Sequence, residues 1–301
     1  MAPAASEPPW RLLFTLRELA HPGSLAARGL PRTAVRIESG PQVARTPHPT
    51  DVAIAEVWDG RLAANPRLFD APKYRLASSF ATGGECALRI GLTRYRDYIG
   101  THLSSEFARL VSDGERDFGD GNAHLGCALG VETVLLTADQ HIVLLRRSTA
   151  VATSTGEYNG PSGHPEPNLA VGGLDATPEA IRDQLWDAVI QETFEETGVP
   201  TDSLGEPLLI GAMADERRKP DLLFCTTTSL RSDEVMARYR AGAKDAWESS
   251  GLIAVPPAID RRAPGDCRWN SHALGIQLTA VTQAAMVCMK VRDELMLNEP
   301  D

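Results

Sequence analysis

Between residues 177 and 200 the chain carries a helix with both ends marked in its sequence. Thr177-Pro178-Glu179 supplies a capping hydroxyl, a proline at the first helical position and an acid in the first turn. Gly198 and Pro200 stop the helix at about Thr197. Its last turns read Gln191-Glu192-Thr193-Phe194-Glu195-Glu196-Thr197. At about 100° per residue, Glu192, Glu195 and Glu196 project within an arc of roughly 100°. Like charges so spaced cost a helix a few tenths of a kcal/mol per pair, and near its C-terminus they also oppose the macrodipole. Such a cluster is either a solvated helix end or a cation site. Mg²⁺ suits it, being a hard ion that takes a few carboxylate oxygens and keeps other positions for water and phosphate. That arrangement supports water attack at phosphorus without a covalent protein nucleophile.

The flanking sequence predicts how the helix is packed. Apolar runs at 127–136 and 141–147, joined by Thr137-Ala138-Asp139-Gln140, read as a β-hairpin, and a Gly- and Pro-rich stretch at 154–177 follows. Strands are expected at 207–213, 222–227 and 252–255, with helices at 232–240 and 274–296. Alternation of this kind points to a sheet flanked by helices, an α/β fold. Residues 1–125 read as a β-rich N-terminal substrate-recognition subdomain. It has strands at 12–16 and 34–37, a turn at His21-Pro22-Gly23, an amphipathic helix at 51–61 and a polar, turn-rich boundary at 112–122. Residues 126–301 form the second, catalytic domain.

A formal charge of −10 over 301 residues argues against a general nucleic-acid binder, which needs surplus Lys and Arg. The five cysteines are widely spaced, without a Cys-x-x-Cys pair, and read as free thiols. No apolar run approaches the roughly 18 to 20 residues of a membrane span, and the N-terminus lacks signal-peptide architecture. A soluble protein of the cytoplasm or nucleus is expected, with no membrane partner.

Glu192, Glu195, Glu196, Gly198 and Val199 resemble the Nudix hydrolase signature, Gly-x5-Glu-x7-Arg-Glu-U-x-Glu-Glu-x-Gly-U, with U a bulky apolar residue. Gln191 stands at its Arg position, Thr193 at its first U and Asp183 at its early Glu. In register the signature glycine falls on Thr177. Gly163 lies 29 residues before Glu192, where the signature has 15, and Gly173 is the other candidate. The segments 68–76, 91–101 and 163–167 resemble an animal branch of this family that acts on nucleotide sugars. The resemblance implies a Nudix α/β/α sandwich with a mixed sheet, and hydrolysis of UDP-glucose and UDP-galactose to UMP and sugar 1-phosphate. It implies Mg²⁺ as cofactor, with Mn²⁺ as a substitute. It places metal coordination on Glu192 and Glu196, and catalysis on these with Glu195, whose own part stays open.

The residue chemistry beside that resemblance is less specific. Lys73, Arg75, Arg94 and Arg96 offer positive charge to a diphosphate, and Tyr74, Tyr95 or Tyr98 a face for a base. Strand alternation would instead put Arg94 and Arg96 on one face and Tyr95 in a core, with Asp97 as an internal ion-pair partner. Gly163 and His164 complete the substrate candidates. Arg146 and Arg147 end a strand beside the site, and Arg217, Arg218 and Lys219 make a basic run. Asp221 is a candidate substrate contact, extra metal ligand or water-activating base, with His164 and Glu166 as rivals. Two other readings remain: hydrolysis of another nucleoside diphosphate derivative such as ADP-ribose, a dinucleotide or a coenzyme A, and a nucleotide-sugar sensor that does not cut.

Overall fold

The computed structural model describes residues 8–20, 25–148, 154–168, 175–245, 247–256 and 275–298. The turn expected at His21-Pro22-Gly23, Gly173 and Cys267 lie outside them; the four described cysteines are buried. No helix among the described residues is long and apolar enough to cross a membrane.

The larger sheet combines β1 (Trp10–Thr15), β5 (Gly130–Leu136), β6 (Ile142–Arg147), β9 (Leu208–Asp215), β10 (Pro220–Thr227) and β11 (Ser249–Val255) in the order β1-β9-β10-β5-β6-β11. Only β10–β5 is parallel along this path, so the sheet is mixed. Helix α4 (Pro178–Thr197) covers one face, where Trp186 meets Phe224 edge-on with ring centroids 5.1 Å apart. A later helix, Ala280–Leu297, covers the other, its Cys288 lying over Gly211. Phe224 and Leu223, the partner of Gly211, are successive residues of one strand and so point to opposite faces. The result is an α/β/α sandwich, and α5 (Ser232–Gly242) packs against β11 and α4. The late helix is α6, counted after α1 (Val52–Ala64), α2 (Tyr95–His102) and α3 (Phe107–Phe118).

Three sequence expectations change. The β5–β6 hairpin pairs only at Leu135–Val143 and Leu136–Ile142 and then splays. The short strands β7 (Tyr158–Asn159) and β8 (Ser162–Gly163) fill the gap, pairing with β6 and β5 respectively. Gly160 lets this segment in, since a Cβ there would stand 2.4 Å from the Thr133 carbonyl oxygen. The turn-rich boundary expected at 112–122 is helical through most of its length, because α3 runs to Phe118 before Gly119 caps it at φ 64°. The smaller sheet, β2 (Val35–Glu38), β4 (Glu85–Arg94) and β3 (Pro72–Thr82), is accompanied by α1, α2 and α3, so this layer is as helical as it is extended. β1 pairs with β9, which places residues 10–15 in the larger sheet and not with the rest of the N-terminal region.

His102 ties the two layers together. Its Nδ1–H donates to the Arg217 carbonyl at 2.6 Å and its Nε2 accepts from Cys127 N–H at 2.8 Å, an arrangement that uses the neutral ring. Burial holds its pKa down at about 3. An unfolded histidine titrates near 6.5, so the unfolded chain binds the extra proton between those values and stability falls as pH drops from about 6.5 towards 3. His102→Ala should cost roughly 3 kcal/mol at pH 7.5, and less at pH 5, in urea melts. An equal loss at both values would remove His102 as the source of the slope.

Candidate active site

The three carboxylates of α4 have separate surroundings. Glu196 is 7% exposed and points at the sheet, where its Oε2 accepts from Ser162 N–H at 3.1 Å. Burial, then the charge of Glu192, raises its pKa well above the usual carboxylate range. Glu192 lies one turn back, half-buried against Gly163. A Cβ on Gly163 would stand 1.9 Å from Glu192 Oε1 and 2.1 Å from its Cδ, so any larger residue would force this carboxylate to move. Burial, then the charges of Glu195, Glu248 and Asp245, pushes the Glu192 pKa up to about 8, and Lys73 opposes them. Glu195 turns towards the loop after α5. Lys244 bonds it and is the main reason its pKa is lowered, and Gln191 Nε2 donates to it at 2.5 Å.

Glu192 and Glu196 fit a hard divalent ion. Both are partly or wholly withdrawn from water, both have raised pKa values that a nearby cation would lower, and the donor atoms are all oxygen. Among the described residues no group of three or more His, Cys, Asp or Glu side chains converges on one point. The chain therefore offers a pair of carboxylates, the usual protein share of a Mg²⁺ site that also takes water and substrate phosphate.

The other sequence candidates scatter. Asp183 lies nine residues before Glu192, hence on the far side of α4, and pairs with Arg182 and Arg32. Arg75 is 2% exposed and donates to the carbonyls of Leu125, Val43 and Asn122, so it is structural. Tyr74 is a core residue whose hydroxyl donates to Gln184 at 2.8 Å. β4 ends at Arg94 and α2 begins at Tyr95, so the expected strand alternation through 94–96 does not exist. Arg94 is exposed and paired with Asp70, which also accepts from Arg96 N–H. Arg96 is exposed too, and Asp97 is its neighbour at 3.9 Å. Tyr95 lies 6.0 Å from both the His164 ring and Lys73 Nζ, so Lys73, Tyr95, Gly163 and His164 do come together beside Glu192. The basic run divides: Arg217 stacks on Phe107, Arg218 donates to Asn122 and Lys219 pairs with Asp221. Asp221 is buried, and its charge is felt by Tyr98 and Glu132.

Two acids escaped the sequence reading. Glu248, just before β11, raises the pKa of both Glu192 and Glu196, and its own is raised by burial and Asp245. Glu132 on β5 is 1% exposed, and burial lifts its pKa to about 8. It is opposite Leu223 in the sheet, so it lies on the face of α6. A single Glu in an apolar strand was the signal available for Glu132; Glu248 had none.

No family-wide sequence profile matches the chain. Individual relatives do. Over 240 residues the chain is 40% identical to a Bos taurus protein named uridine diphosphate glucose pyrophosphatase NUDT22, covering 75% of this chain and 83% of that one. The Homo sapiens protein of the same name is also 40% identical, with 75% and 79% covered. An Arabidopsis thaliana protein named Nudix hydrolase 9 is 32% identical over 253 residues, with 74% and 78% covered. The chain belongs to the Nudix hydrolase family. Its departures from the Nudix signature have local explanations. Thr193 replaces a bulky apolar residue, yet is fully buried because its hydroxyl donates to the Val189 carbonyl at 2.7 Å. Thr177, at the register of the signature glycine, caps α4 by accepting from Ala180 N–H. Gly163 is the glycine that abuts Glu192. Gln191, at the signature arginine, bonds Glu195 without adding charge.

Proposed function

We propose that this Nudix hydrolase cleaves UDP-glucose, and UDP-galactose, to UMP and sugar 1-phosphate with Mg²⁺, and that Mn²⁺ substitutes. The observation that carries the substrate is the 40% identity to two proteins named for that reaction. The paired carboxylates beside Gly163 support the chemistry. A bound divalent ion would neutralise the diphosphate and lower the pKa of the attacking water.

The chain's own residues supply the frame. Glu192 and Glu196 would hold the ion, with Glu196 aimed by Ser162 N–H and Glu192 backed by Gly163. Water adds its oxygen to phosphorus, the bridging P–O bond breaks, and the two products share the two protons of that water. Glu248 is a candidate outside α4 to accept the first proton, since its charge is felt by both ligands. Asp221 is less suited to that part, because Lys219 ties it up.

Incubation of the purified chain with UDP-glucose, UDP-galactose, ADP-ribose, a dinucleotide and a coenzyme A, with and without Mg²⁺, should release UMP from the first two at least tenfold faster than AMP or adenosine bisphosphate from the rest. Faster cleavage of an adenine compound would overturn the substrate assignment. Tight UDP-glucose binding without cleavage in Mg²⁺ or Mn²⁺ would make the protein a sensor.

A further inference from the structure

Lys73 is a buried cation with an exposed counter-ion. The residue is 8% exposed, and its Nζ lies 2.5 Å from Glu166 Oε1, 3.5 Å from the His164 carbonyl oxygen and 6.0 Å from the centre of the Tyr95 ring. The Glu166 side chain is 48% exposed. The charge of Lys73 is felt by both Glu192 and His164. Two buried polar atoms in this corner have no hydrogen-bond partner: His164 Nε2, and Oγ1 of Thr93, the residue opposite Lys73 in the β3–β4 register. Folded proteins pair nearly all such atoms, and each left open costs about 1–3 kcal/mol.

We propose that Lys73, Thr93 and His164 form the seat for one phosphoryl group of a diphosphate, and that the Glu166 carboxylate occupies this seat until a diphosphate displaces it. This deepens the reading of the protein as a nucleoside diphosphate hydrolase and rests on it. Carboxylate and phosphoryl oxygens are interchangeable to an ammonium, as both are charge-assisted acceptors. Glu166 leaves cheaply because half of its side chain is already in water, whereas Lys73 is withdrawn from water and requires a replacement anion. Burial and the charges of Lys219, Lys73 and Arg147 favour the neutral form of His164, whose single N–H, when on Nε2, would donate to the phosphoryl oxygen. The Thr93 hydroxyl donates from the strand beside Lys73. Substrate and Glu166 thus compete for one cation.

Two substitutions are expected to move binding in opposite directions. Calorimetric titration of the full chain with UDP, ADP and inorganic pyrophosphate, in Ca²⁺, should show Glu166→Gln tightening all three by about fivefold. Lys73→Met should weaken all three by about tenfold or more, and His164→Ala by several-fold, with uridine unaffected by any of them. Glu166 is exposed, so its variant folds and tests the idea even if Lys73→Met does not. Unchanged or weaker diphosphate binding by Glu166→Gln overturns the proposal. Failure of the substrate reading looks different: no UMP from UDP-glucose, yet the same opposed shifts with pyrophosphate. Cleavage of UDP-glucose with no such shifts leaves the function standing and removes the seat.

Discussion

Exchanging Glu196 for glutamine is expected to lower Mg²⁺-dependent UMP release by about 10³-fold while leaving the fold intact. A metal ion's stabilisation of developing charge is worth several kcal/mol, and each 1.36 kcal/mol is a factor of ten in rate. The amide keeps an oxygen that accepts from Ser162 N–H, so the local geometry survives. What disappears is a buried charge next to Glu192, whose presence raises the Glu196 pKa. A raised carboxyl pKa means the folded chain binds the proton more tightly than the unfolded one, so stability declines as pH rises above about 4.5 towards the folded value. The variant has no such group, and at pH 8 its melting temperature should equal or exceed that of the metal-free wild type. Mg²⁺ should raise the wild-type melting temperature and leave the variant's unchanged. A variant that melts normally and still cleaves at a tenth of the wild-type rate would show that Glu196 holds no essential metal.

Gly163→Ala should be nearly as damaging, although it deletes nothing. The added methyl would fall 1.9 Å from Glu192 Oε1 and 2.7 Å from its Oε2, and must push the carboxylate away. Displacement of about 1 Å at a reacting centre commonly costs around 10²-fold in rate, so turnover should fall by that order. Mn²⁺ affinity, read from the free-ion electron paramagnetic resonance signal, should weaken by about ten- to a hundredfold. Unaltered Mn²⁺ binding in a folded Gly163→Ala protein would separate Glu192 from the metal site.

The helix that carries these residues was legible because its signals are local. Thr177 caps it, Gly198 ends it at φ 75°, and 3.6-residue periodicity places Glu192 and Glu196 on one side. Strand positions in the larger sheet were legible for the same reason. Long-range facts were not. That β1 crosses to β9, and that α3 continues through a Gly- and Asp-rich run, depend on packing that no short window contains. Arg75 shows the limit most clearly: as a cation in a motif it looks like a phosphate ligand, whereas burial makes it a three-way support for carbonyls of other segments. Glu248 was missed because its value comes from which helix it faces.

The segment inlaid between β5 and β6 separates tolerance from constraint along the chain. Tyr158–Gly163 is laced to strand edges through Leu145, Arg146, Val131 and Glu132, and it delivers both the Ser162 N–H and the bare Gly163 backbone to the acids. Pro165 and Asn168 are tied as well, to Tyr74 N–H and Gln184, and length added after Asn168 would cost little more than loop-closure entropy, about 0.6 kcal/mol per doubling. A lineage can therefore lengthen this connection without disturbing the metal ligands. Spacing counted across it is a poor guide to kinship, while the few laced residues remain a good one.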